Sequence, residues 1–359
     1  MVQVNIDSGL GPAINNFKLP ETLGFGNVMA PIMASCTYEN GKWGALSLLP
    51  YGPITMYPTA KVLHYAQEIF EGMKAYRVDG KGPFIFRPEE NYLRMNRSAE
   101  RMAMPHVPHD VFMRAVLDVV AYSTNFVPRR TGESLYLRPF MYAAEESLGI
   151  KPAEKFVFMV IASPSASYFN EGTGLSVFIE RENARAFPGG TGFAKAGGNY
   201  AAGLAAAIKT KQMGFVQTLW LDAVHKKYVE EMSGMNVFAV VNNELWTSIT
   251  GDTILDGITR KSIITLAKDL GLTVQEKNID IDELLADIKS GKCTEAFACG
   301  TAAIITPINY FGDLSGDRFP LHYPDGKIGA DLREKLLAIQ EGRSPDKYKW
   351  IVSVEPKSV

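Results

Sequence analysis

A lysine surrounded by glycines is the residue of this sequence with the clearest chemical potential. Lys195 lies in the segment FPGGTGFAKAGGNYAAGLAA, just before a predicted helix. A lysine amine becomes nucleophilic when it is desolvated, and it then forms Schiff bases with carbonyl compounds. Gly197 and Gly198 would let the backbone approach a bound ring, and the hydroxyl of Tyr200 follows them. Taken alone the pattern is short, and it favours a solvated lysine on a flexible loop.

Two further segments offer groups that bind anions. Thr259 opens a predicted helix over 259–270, directly after the turn DGI. Free amides at a helix start, with a hydroxyl beside them, favour a phosphate, but the same residues are consistent with a turn that only caps the helix. The turn ACGTAA, which contains Thr301, could add amides to the same anion. Arg94 is a candidate bidentate partner, or else a solvated arginine on a helix face.

Several familiar catalytic patterns are missing from the sequence. None of the four Gly-Lys pairs is followed by Ser or Thr, so there is no P-loop, and GGTGF lacks the third glycine of a dinucleotide fingerprint. There is no G-x-S-x-G elbow. The five histidines are scattered, whereas zinc needs three or four convergent ligands. We therefore expect no metal at the active site.

Length, charge and cysteine content indicate the broad class of protein. The 359 residues correspond to about two domains at ~150 residues each. A formal charge of −2 offers no broad basic face, so we expect neither nucleic acid nor a membrane surface as partner. Three cysteines, Cys36, Cys293 and Cys299, are too few for a disulfide framework. Because the N-terminus lacks a targeting pattern and no apolar run approaches ~18 residues, we expect a soluble cytoplasmic protein.

Strand and helix signals alternate along both halves of the chain. They predict two α+β domains with a cleft between them, where a small molecule could bind. The runs SLYLRPF and FVFMVIAS predict buried strands, and the Ser/Gly/Pro-rich stretch 164–175 is the candidate interdomain linker. The predicted domains are therefore 1–163 and 176–359. Apolar periodicity with terminal Gly or Pro predicts helices over 88–104, 109–126, 200–213, 259–270 and 282–289.

Seven segments of the chain match one known family in order and approximate spacing. They are LHYAQEIFEGMKAYR, NYLRMNRSAERMAMP, SLYLRPF, KAGGNYAAGL, EEMSGMNVF, LDGITR and GTAA. The chain thereby resembles the branched-chain amino acid aminotransferases, which are pyridoxal-phosphate enzymes of fold type IV. The resemblance implies a two-domain α+β fold of the D-amino acid aminotransferase-like type, with the active site between the domains. It also implies reversible transfer of the amino group of L-leucine, L-isoleucine or L-valine to 2-oxoglutarate, as in amino-acid biosynthesis.

The resemblance assigns the cofactor residues one by one. Lys195 matches the lysine that binds pyridoxal 5'-phosphate covalently and later moves the proton of the substrate α-carbon. Tyr200 matches the tyrosine at the phenolic oxygen of the cofactor. Glu231, rather than Glu230, matches the glutamate that keeps the pyridine nitrogen protonated, so Glu230 is expected to be solvated. The positions that match phosphate-binding residues are Arg94, Ile258, Thr259 and Thr301.

The resemblance also implies an aromatic substrate pocket. Phe25, Tyr65 and Tyr136 would form an apolar wall for branched side chains, although aromatic residues often only fill a core. Arg138 offers a cation to the side-chain carboxylate of glutamate, so one pocket could serve both substrates. Ala302 would contribute a backbone amide to the substrate α-carboxylate. The expected partners are amino acids and 2-oxo acids, in at least a homodimer with its active site near the subunit interface.

Two departures from the family and three alternatives remain. Some relatives carry a C-x-x-C pair where this chain has Ala303 and Thr306, so a thiol switch of that kind is excluded and Cys299 is expected to be a buried structural thiol. Gly234 stands where some relatives have threonine, which leaves one polar contact near the substrate in doubt. The alternatives are a D-amino acid aminotransferase, an aminodeoxychorismate lyase and a catalytically silent scaffold. The long N-terminal segment and SLYLRPF favour the branched-chain enzyme over the first two.

Overall fold

Two separate hydrophobic cores divide the chain into two units. The computed structural model describes residues 2–167, 174–324 and 326–358. The first unit comprises Met1–Tyr168, Ala194–Gly197 and Ala338–Val359, and the second comprises Phe169–Phe193 and Gly198–Leu337. Each unit combines helices with a sheet, which is the α+β organisation that the sequence predicts. No helix in the described part of the chain is both long and apolar enough to cross a membrane.

The first unit is built on a mostly antiparallel sheet. Its strands before the linker are Val4–Ile6 (β1), Ile32–Glu39 (β2), Lys42–Trp43 (β3), Leu46–Pro50 (β4), Glu68–Phe70 (β5), Met73–Tyr76 (β6), Phe84–Phe86 (β7), Ser134–Ala143 (β8) and Phe156–Ser165 (β9). Its helices are Leu10–Asn16 (α1), Val62–Tyr65 (α2), Pro88–Arg101 (α3) and His109–Tyr122 (α4). The main order of these strands is β1-β4-β2-β9-β8-β6-β7, while β3 pairs with β2 and β5 pairs with β8. Strand β8 therefore pairs with both β5 and β6, which places the residues of SLYLRPF at the centre of the sheet.

The second unit has a mixed sheet. Its strands are Leu175–Glu180 (β10), Gln217–Leu221 (β11), Val229–Met232 (β12), Asn236–Val241 (β13), Glu244–Ser248 (β14), Val274–Lys277 (β15), Cys293–Gly300 (β16), Ile304–Gly312 (β17) and Arg318–Pro320 (β18). Its helices are Gly197–Ala202 (α5), Leu204–Gln212 (α6), Ile258–Asp269 (α7) and Ile281–Ser290 (α8), followed by Ile328–Gln340 (α9). The strand order is β12-β11-β10-β17-β16-β13-β14-β15, with β18 beside β17. All four residues of β12 are buried, although this strand ends the strand order.

The C-terminus returns to the first unit. Strand Ile351–Ser353 (β19) pairs antiparallel with β7, and the hydroxyl of Tyr76 donates to Gln340 at 3.1 Å. The sequence prediction includes the C-terminal segment in the second domain, 176–359. The pairing of β19 with β7 could not be predicted, because strands so far apart in the chain leave no local signal of their pairing. The proposed linker 164–175 also starts too early, since β9 continues to Ser165 and β10 begins at Leu175. Its residues 168–173 lie outside the described residues.

Helix positions follow the sequence patterns, but several ends differ. Helix α3 begins with Pro88 and ends at Arg101, three residues before the predicted end, because Ala103 adopts a left-handed conformation with φ of 52°. The helix predicted over 109–126 is α4 followed by a short 3-10 turn, Thr124–Phe126. The helix predicted over 200–213 consists of α5 and α6, which meet at Gly203. Helix α1 is not among the helices that the sequence patterns predict.

Candidate functional site

Backbone contacts of Lys195 and of the next residue hold this segment against β5. The amide of Phe70 donates to the carbonyl of Lys195 at 2.9 Å, and Ile69 forms a β-bridge with Ala196. The amide of Lys195 donates to the hydroxyl of Ser98 on α3, also at 2.9 Å. Its Nζ lies 4.7 Å from the centre of the Phe70 ring. Lys195 is thus a partly buried residue in a fixed segment, not a solvated lysine on a flexible loop.

Arg94 is buried on the inner face of α3 and binds a buried carboxylate. Its Nε and Nη2 donate to the two carboxylate oxygens of Glu71, each at 2.8 Å. Asn91, one turn earlier, donates to the same carboxylate at 2.7 Å. Burial alone would raise the pKa of Glu71, but Arg94, Lys195 and Asn91 together hold it below its ordinary value. The structure therefore excludes the solvated alternative for Arg94.

Three of the four predicted pocket side chains come together in the first unit. The rings of Phe25 and Tyr136 meet edge to face at 5.0 Å between centroids. Nη2 of Arg138 donates to the hydroxyl of Tyr136 at 3.1 Å, and the Arg138 guanidinium lies 4.6 Å from the centre of the Phe70 ring. Because Nζ of Lys195 lies 4.7 Å from the centre of the same ring, Phe70 contacts both the lysine and the predicted carboxylate-binding arginine.

Tyr65 is placed differently from the rest of the predicted pocket. It ends the short helix α2, is 39% exposed, and its hydroxyl donates to the carbonyl of Leu148 at 2.5 Å. It therefore presents a half-exposed ring at the surface of the first unit.

Glu231 is buried in the second unit beside a positively charged arginine. It lies on β12 with 2% of its surface exposed, and Nη2 of Arg185 forms an ion pair with its Oε1. Nδ2 of Asn236 donates to its Oε2 at 3.2 Å, and the amide of Leu255 donates to Oε1 at 3.3 Å. Arg185 also donates to the carbonyl of Gly192 at 3.0 Å. These donors favour the ionised carboxylate, which is the form that a protonated pyridine nitrogen requires.

Asn236 connects Glu231 to the start of α7. A Cβ at Gly257 would lie 2.0 Å from Oδ1 of Asn236, so only glycine fits at this position. Gly257 is the N-cap of α7 and makes no side-chain capping bond, while Ile258 and Thr259 behind it are buried. A buried helix start with no capping side chain at its N-cap residue could offer its first amides to a phosphate.

The other predicted site residues of the second unit lie near the β12–β13 turn. A Cβ at Gly234 would lie 3.8 Å from Cε1 of Tyr200, so the tyrosine ring is beside this turn. A Cβ at Gly300 would lie 3.4 Å from the carbonyl oxygen of Gly234, and Thr301 and Ala302 follow in the turn between β16 and β17. Gly234 has a φ of 100°, a conformation that a threonine rarely adopts. Backbone conformation therefore accounts for glycine at this position.

Glu230 differs from the sequence prediction. The prediction of a solvated side chain is wrong, because Glu230 is 6% exposed. Burial raises its pKa above the ordinary value, while a hydrogen bond from Thr253 and the charge of Arg185 lower it. Its Oε2 has no hydrogen-bond partner among the described residues. Both faces of β12 are covered, a feature that the motif does not reveal.

The cysteines are buried free thiols. Burial raises the pKa of Cys36 to about 11 and that of Cys293 to about 12, and it raises the pKa of Cys299 as well. The expectation that Cys299 is a buried thiol is confirmed. Within the described residues, no cluster of three His, Cys, Asp or Glu side chains could hold a metal ion.

The donor set fits a pyridoxal phosphate. The first unit supplies a fixed lysine, whose neutral amine can add to an aldehyde, and a buried arginine, whose positive charge suits a phosphate. The second unit supplies a buried carboxylate, a phenol and an uncapped helix start around one turn. The predicted site residues do not include Glu68, Phe70 or Glu71, although all three lie in the segment LHYAQEIFEG. Alternation along β5 was the signal that could have placed Glu68 and Phe70 on one face.

Comparison with known proteins identifies the family. The amino-transferase class IV family matches residues 68–311. Branched-chain-amino-acid transaminase 1 of Bacillus subtilis (strain 168) is 42% identical over 342 residues, which cover 93% of this chain and 95% of that protein.

Two solved structures agree with this result. The Escherichia coli branched-chain amino acid aminotransferase has a TM-score of 0.74 at 27% identity, over 90% of this chain and 100% of that one. The T.th. branched-chain amino acid aminotransferase, in complex with N-(5'-phosphopyridoxyl)-L-glutamate, has a TM-score of 0.73 at 30% identity, over 90% of this chain and 99% of that one. The fold type IV prediction is confirmed. The chain belongs to the branched-chain amino acid aminotransferases, within the class IV amino-transferase family.

Proposed function

We propose that this protein transfers the amino group of L-leucine, L-isoleucine or L-valine to 2-oxoglutarate, reversibly and with pyridoxal 5'-phosphate as cofactor. The observation that carries the proposal is the fixed position of Lys195. Its segment is pinned to β5 beside Phe70, with Arg138 at the same ring. A reactive amine, an apolar ring and a cation for a second carboxylate are the groups that this pair of substrates requires.

Each cofactor residue has a distinct task in this proposal. The bound cofactor supplies an electron sink for the bond that breaks at the substrate α-carbon. Lys195 would hold the cofactor through its amine and would move the proton at the substrate α-carbon. Glu231, kept ionised by Arg185 and Asn236, holds the proton on the pyridine nitrogen. Tyr200 would orient the cofactor ring by contact with the phenolic oxygen of the cofactor.

The phosphate would be held by a guanidinium and by backbone amides. Arg94 is oriented by Glu71, and the first amides of α7, at Ile258 and Thr259, carry the partial positive charge of a helix start. Thr301 adds the turn before β17. These anchors do not depend on Lys195, so they would hold the phosphate group without a covalent bond to the lysine.

The substrate side would use the first-unit pocket. Phe25 and Tyr136 form an apolar wall against a branched side chain. Arg138 binds the side-chain carboxylate of glutamate or 2-oxoglutarate, and the amide of Ala302 binds the α-carboxylate. Tyr65 completes the aromatic set by resemblance.

We further propose a homodimer or higher homo-oligomer in the cytoplasm. The first unit exposes an apolar patch formed by Tyr57, Leu63, Tyr65, Leu148 and Ile150. Its two segments are joined by the bridge between Ala60 and Glu146, and a patch of this kind commonly marks a protein interface. The free thiols support a reducing compartment. Leu63→Asp should shift the mass measured by light scattering towards the monomer, whereas Leu204→Asp, on an exposed part of α6, should not.

An absorbance experiment tests the proposed activity. The purified protein should be yellow, and L-leucine should convert its spectrum to that of the pyridoxamine form, which 2-oxoglutarate should reverse. A D-amino acid aminotransferase would respond to D-alanine instead, and a lyase would release pyruvate from aminodeoxychorismate. Failure of L-leucine to change the spectrum of cofactor-loaded protein would exclude the proposed function.

A further inference from the structure

Glu68 lies beside both the lysine segment and the predicted substrate cation. It opens β5, and its carboxylate accepts a hydrogen bond from the amide of Gly197, two residues after Lys195. A Cβ at Gly197 would lie 1.7 Å from Oε1 of Glu68. The carboxylate therefore occupies the space that any larger residue at position 197 would need.

The register of the sheet brings Glu68 and Arg138 to one face. Phe70 pairs with Phe140, and residues directly opposite each other in an antiparallel pair point the same way. Glu68 and Phe70 share a face of β5, and Arg138 shares the corresponding face of β8, two residues from Phe140. The Arg138 guanidinium lies over the Phe70 ring at 4.6 Å, and its buried Nε has no hydrogen-bond partner in the described part of the chain.

The charges of these two side chains act on each other. Burial raises the pKa of Glu68 above its ordinary value, while the Gly197 amide and the positive charge of Arg138 lower it. The charged form of an arginine is also unfavourable in an apolar pocket. When leucine covers it, the cation loses water and gains no partner, which is costly unless a counterion is already present.

We propose that Glu68 is a specificity-determining residue, which serves as the counterion of Arg138 when a branched side chain is bound and fixes the Lys195 segment through Gly197. The inference rests on the proposed function, in which Arg138 binds the side-chain carboxylate of glutamate. A glutamate carboxylate must compete with Glu68 for the same cation. Glu68 therefore favours leucine and disfavours glutamate, which balances two substrates of different charge in one pocket.

Glu68→Gln in the holoenzyme is the test, because the amide oxygen still accepts from Gly197 while the charge is removed. We expect the ratio of kcat/KM for the L-glutamate half-reaction to that for L-leucine to rise by roughly fivefold, equivalent to about 1 kcal/mol for one partly exposed charge pair. Calorimetric Kd values should move in the same sense, tighter for glutaric acid and weaker for 4-methylvaleric acid. Glu154→Gln removes an equal charge at an exposed site of the first unit and should change neither the kcat/KM ratio nor the Kd values.

The outcomes separate this inference from the proposed function. A ratio that stays constant in Glu68→Gln, or equal losses for both substrates, overturns the inference, since a merely structural residue would affect both alike. If Arg138→Ala lowers the ratio while Glu68→Gln leaves it unchanged, the role of Arg138 stands and that of Glu68 fails. If Arg138→Ala leaves the ratio unchanged, both roles fail. Should Glu68→Gln not fold, Glu68→Asp, which withdraws the charge by one methylene, should raise the ratio by a smaller factor, and no rise overturns the inference.

Discussion

Glu71 and Arg94 form a bidentate ion pair in the interior of the first unit. Both donor-acceptor distances are 2.8 Å, Glu71 has no exposed surface, and Arg94 is 4% exposed. A pair of this geometry fixes the plane of the guanidinium, so a phosphate would meet an arginine that is already oriented. The same burial makes each partner depend on the other, because a buried charge without its counterion is strongly destabilising.

Removal of the arginine tests this dependence. We expect Arg94→Met to lower the free energy of unfolding by about 3–5 kcal/mol, because it leaves the Glu71 carboxylate buried without its cation. Urea denaturation of the protein without cofactor measures the change. Arg129→Met, on an exposed arginine of the same unit, is the matched control and should have little effect. Equal stability of the two variants would mean that Glu71 is not ionised in the folded protein.

The pKa of Glu71 gives this pair a defined pH dependence. Since the pKa in the folded protein is below its ordinary value of 4.5, the stabilisation is present above pH 4.5 and is lost as the pH falls through the folded pKa. The stability difference between wild type and Glu71→Gln should therefore shrink in acid below that value.

Substitution of the two adjacent carboxylates of β12 should affect the reaction rate very differently. Glu231→Gln should retain cofactor but slow proton abstraction by several orders of magnitude, since a neutral amide weakens the electron sink. Stopped-flow absorbance of the leucine half-reaction measures the rate. Glu230→Gln should leave that rate near wild type, because Glu230 matches no cofactor position. Similar rates for the two variants would show that the choice between the neighbours is wrong.

Glu230 should also affect the thermal stability of the protein. The pKa of Glu230 is raised in the folded protein, so its ionised form opposes folding. Glu230→Gln should therefore melt at a higher temperature than wild type at pH 8, and the advantage should vanish as the pH falls below 4.5, where the carboxyl is protonated in both states. Thr253 can donate to the amide oxygen as it does to the carboxyl.

Sequence patterns predicted the local features of this protein and missed those that depend on distant pairing. Strand β8 and helices α3 and α7 follow from apolar periodicity and from proline or glycine at their ends. The pairing of β19 with β7 and the burial of Glu230 arise from contacts between segments far apart in the chain. No local pattern encodes such contacts.

The candidate site shows the same division. The resemblance predicted the cofactor positions, because the seven segments fix residue identities. It did not supply Glu71 as the partner of Arg94, nor Phe70 beneath Lys195 and Arg138, since those relations require coordinates.

The buried thiols should be unreactive in the native protein. With a pKa of about 11 at Cys36, roughly one thiol in a thousand is ionised at pH 8, and only the thiolate reacts with alkylating reagents. Iodoacetamide at pH 8 should therefore add no mass to the native protein and three adducts after denaturation. Rapid native labelling of Cys299 would contradict its burial.

Lys195→Ala should abolish transamination without unfolding the protein. The nucleophile is lost, but Arg94 and the start of α7 still bind the phosphate. After borohydride reduction, mass spectrometry should find cofactor attached to the wild type and none attached to the variant, while equilibrium dialysis should find noncovalent cofactor in the variant. Steady-state turnover by the purified variant would exclude Lys195 as the reactive amine.

The two glycines that follow Ala196 should tolerate alanine very differently. At position 197 a Cβ would lie 1.7 Å from Oε1 of Glu68, whereas at position 198 nothing lies within 4 Å. Neither glycine has a positive φ, so the comparison isolates the steric effect from backbone strain. Gly197→Ala must displace the Glu68 carboxylate and break its bond to the amide of residue 197, which should cost about 1–3 kcal/mol of stability, the typical cost of overpacking.

Thermal unfolding of the two variants without cofactor provides the measurement. Gly198→Ala should melt near the wild-type temperature or slightly above it, because alanine lowers the entropy of the unfolded chain and favours the start of α5. Gly197→Ala should melt lower, and its leucine half-reaction should be slower because the displaced segment carries Lys195. Addition of Glu68→Gly to Gly197→Ala removes the clash and should recover part of the lost stability. If the double variant is no more stable than Gly197→Ala, the glycine is required for a reason other than the approach of Glu68.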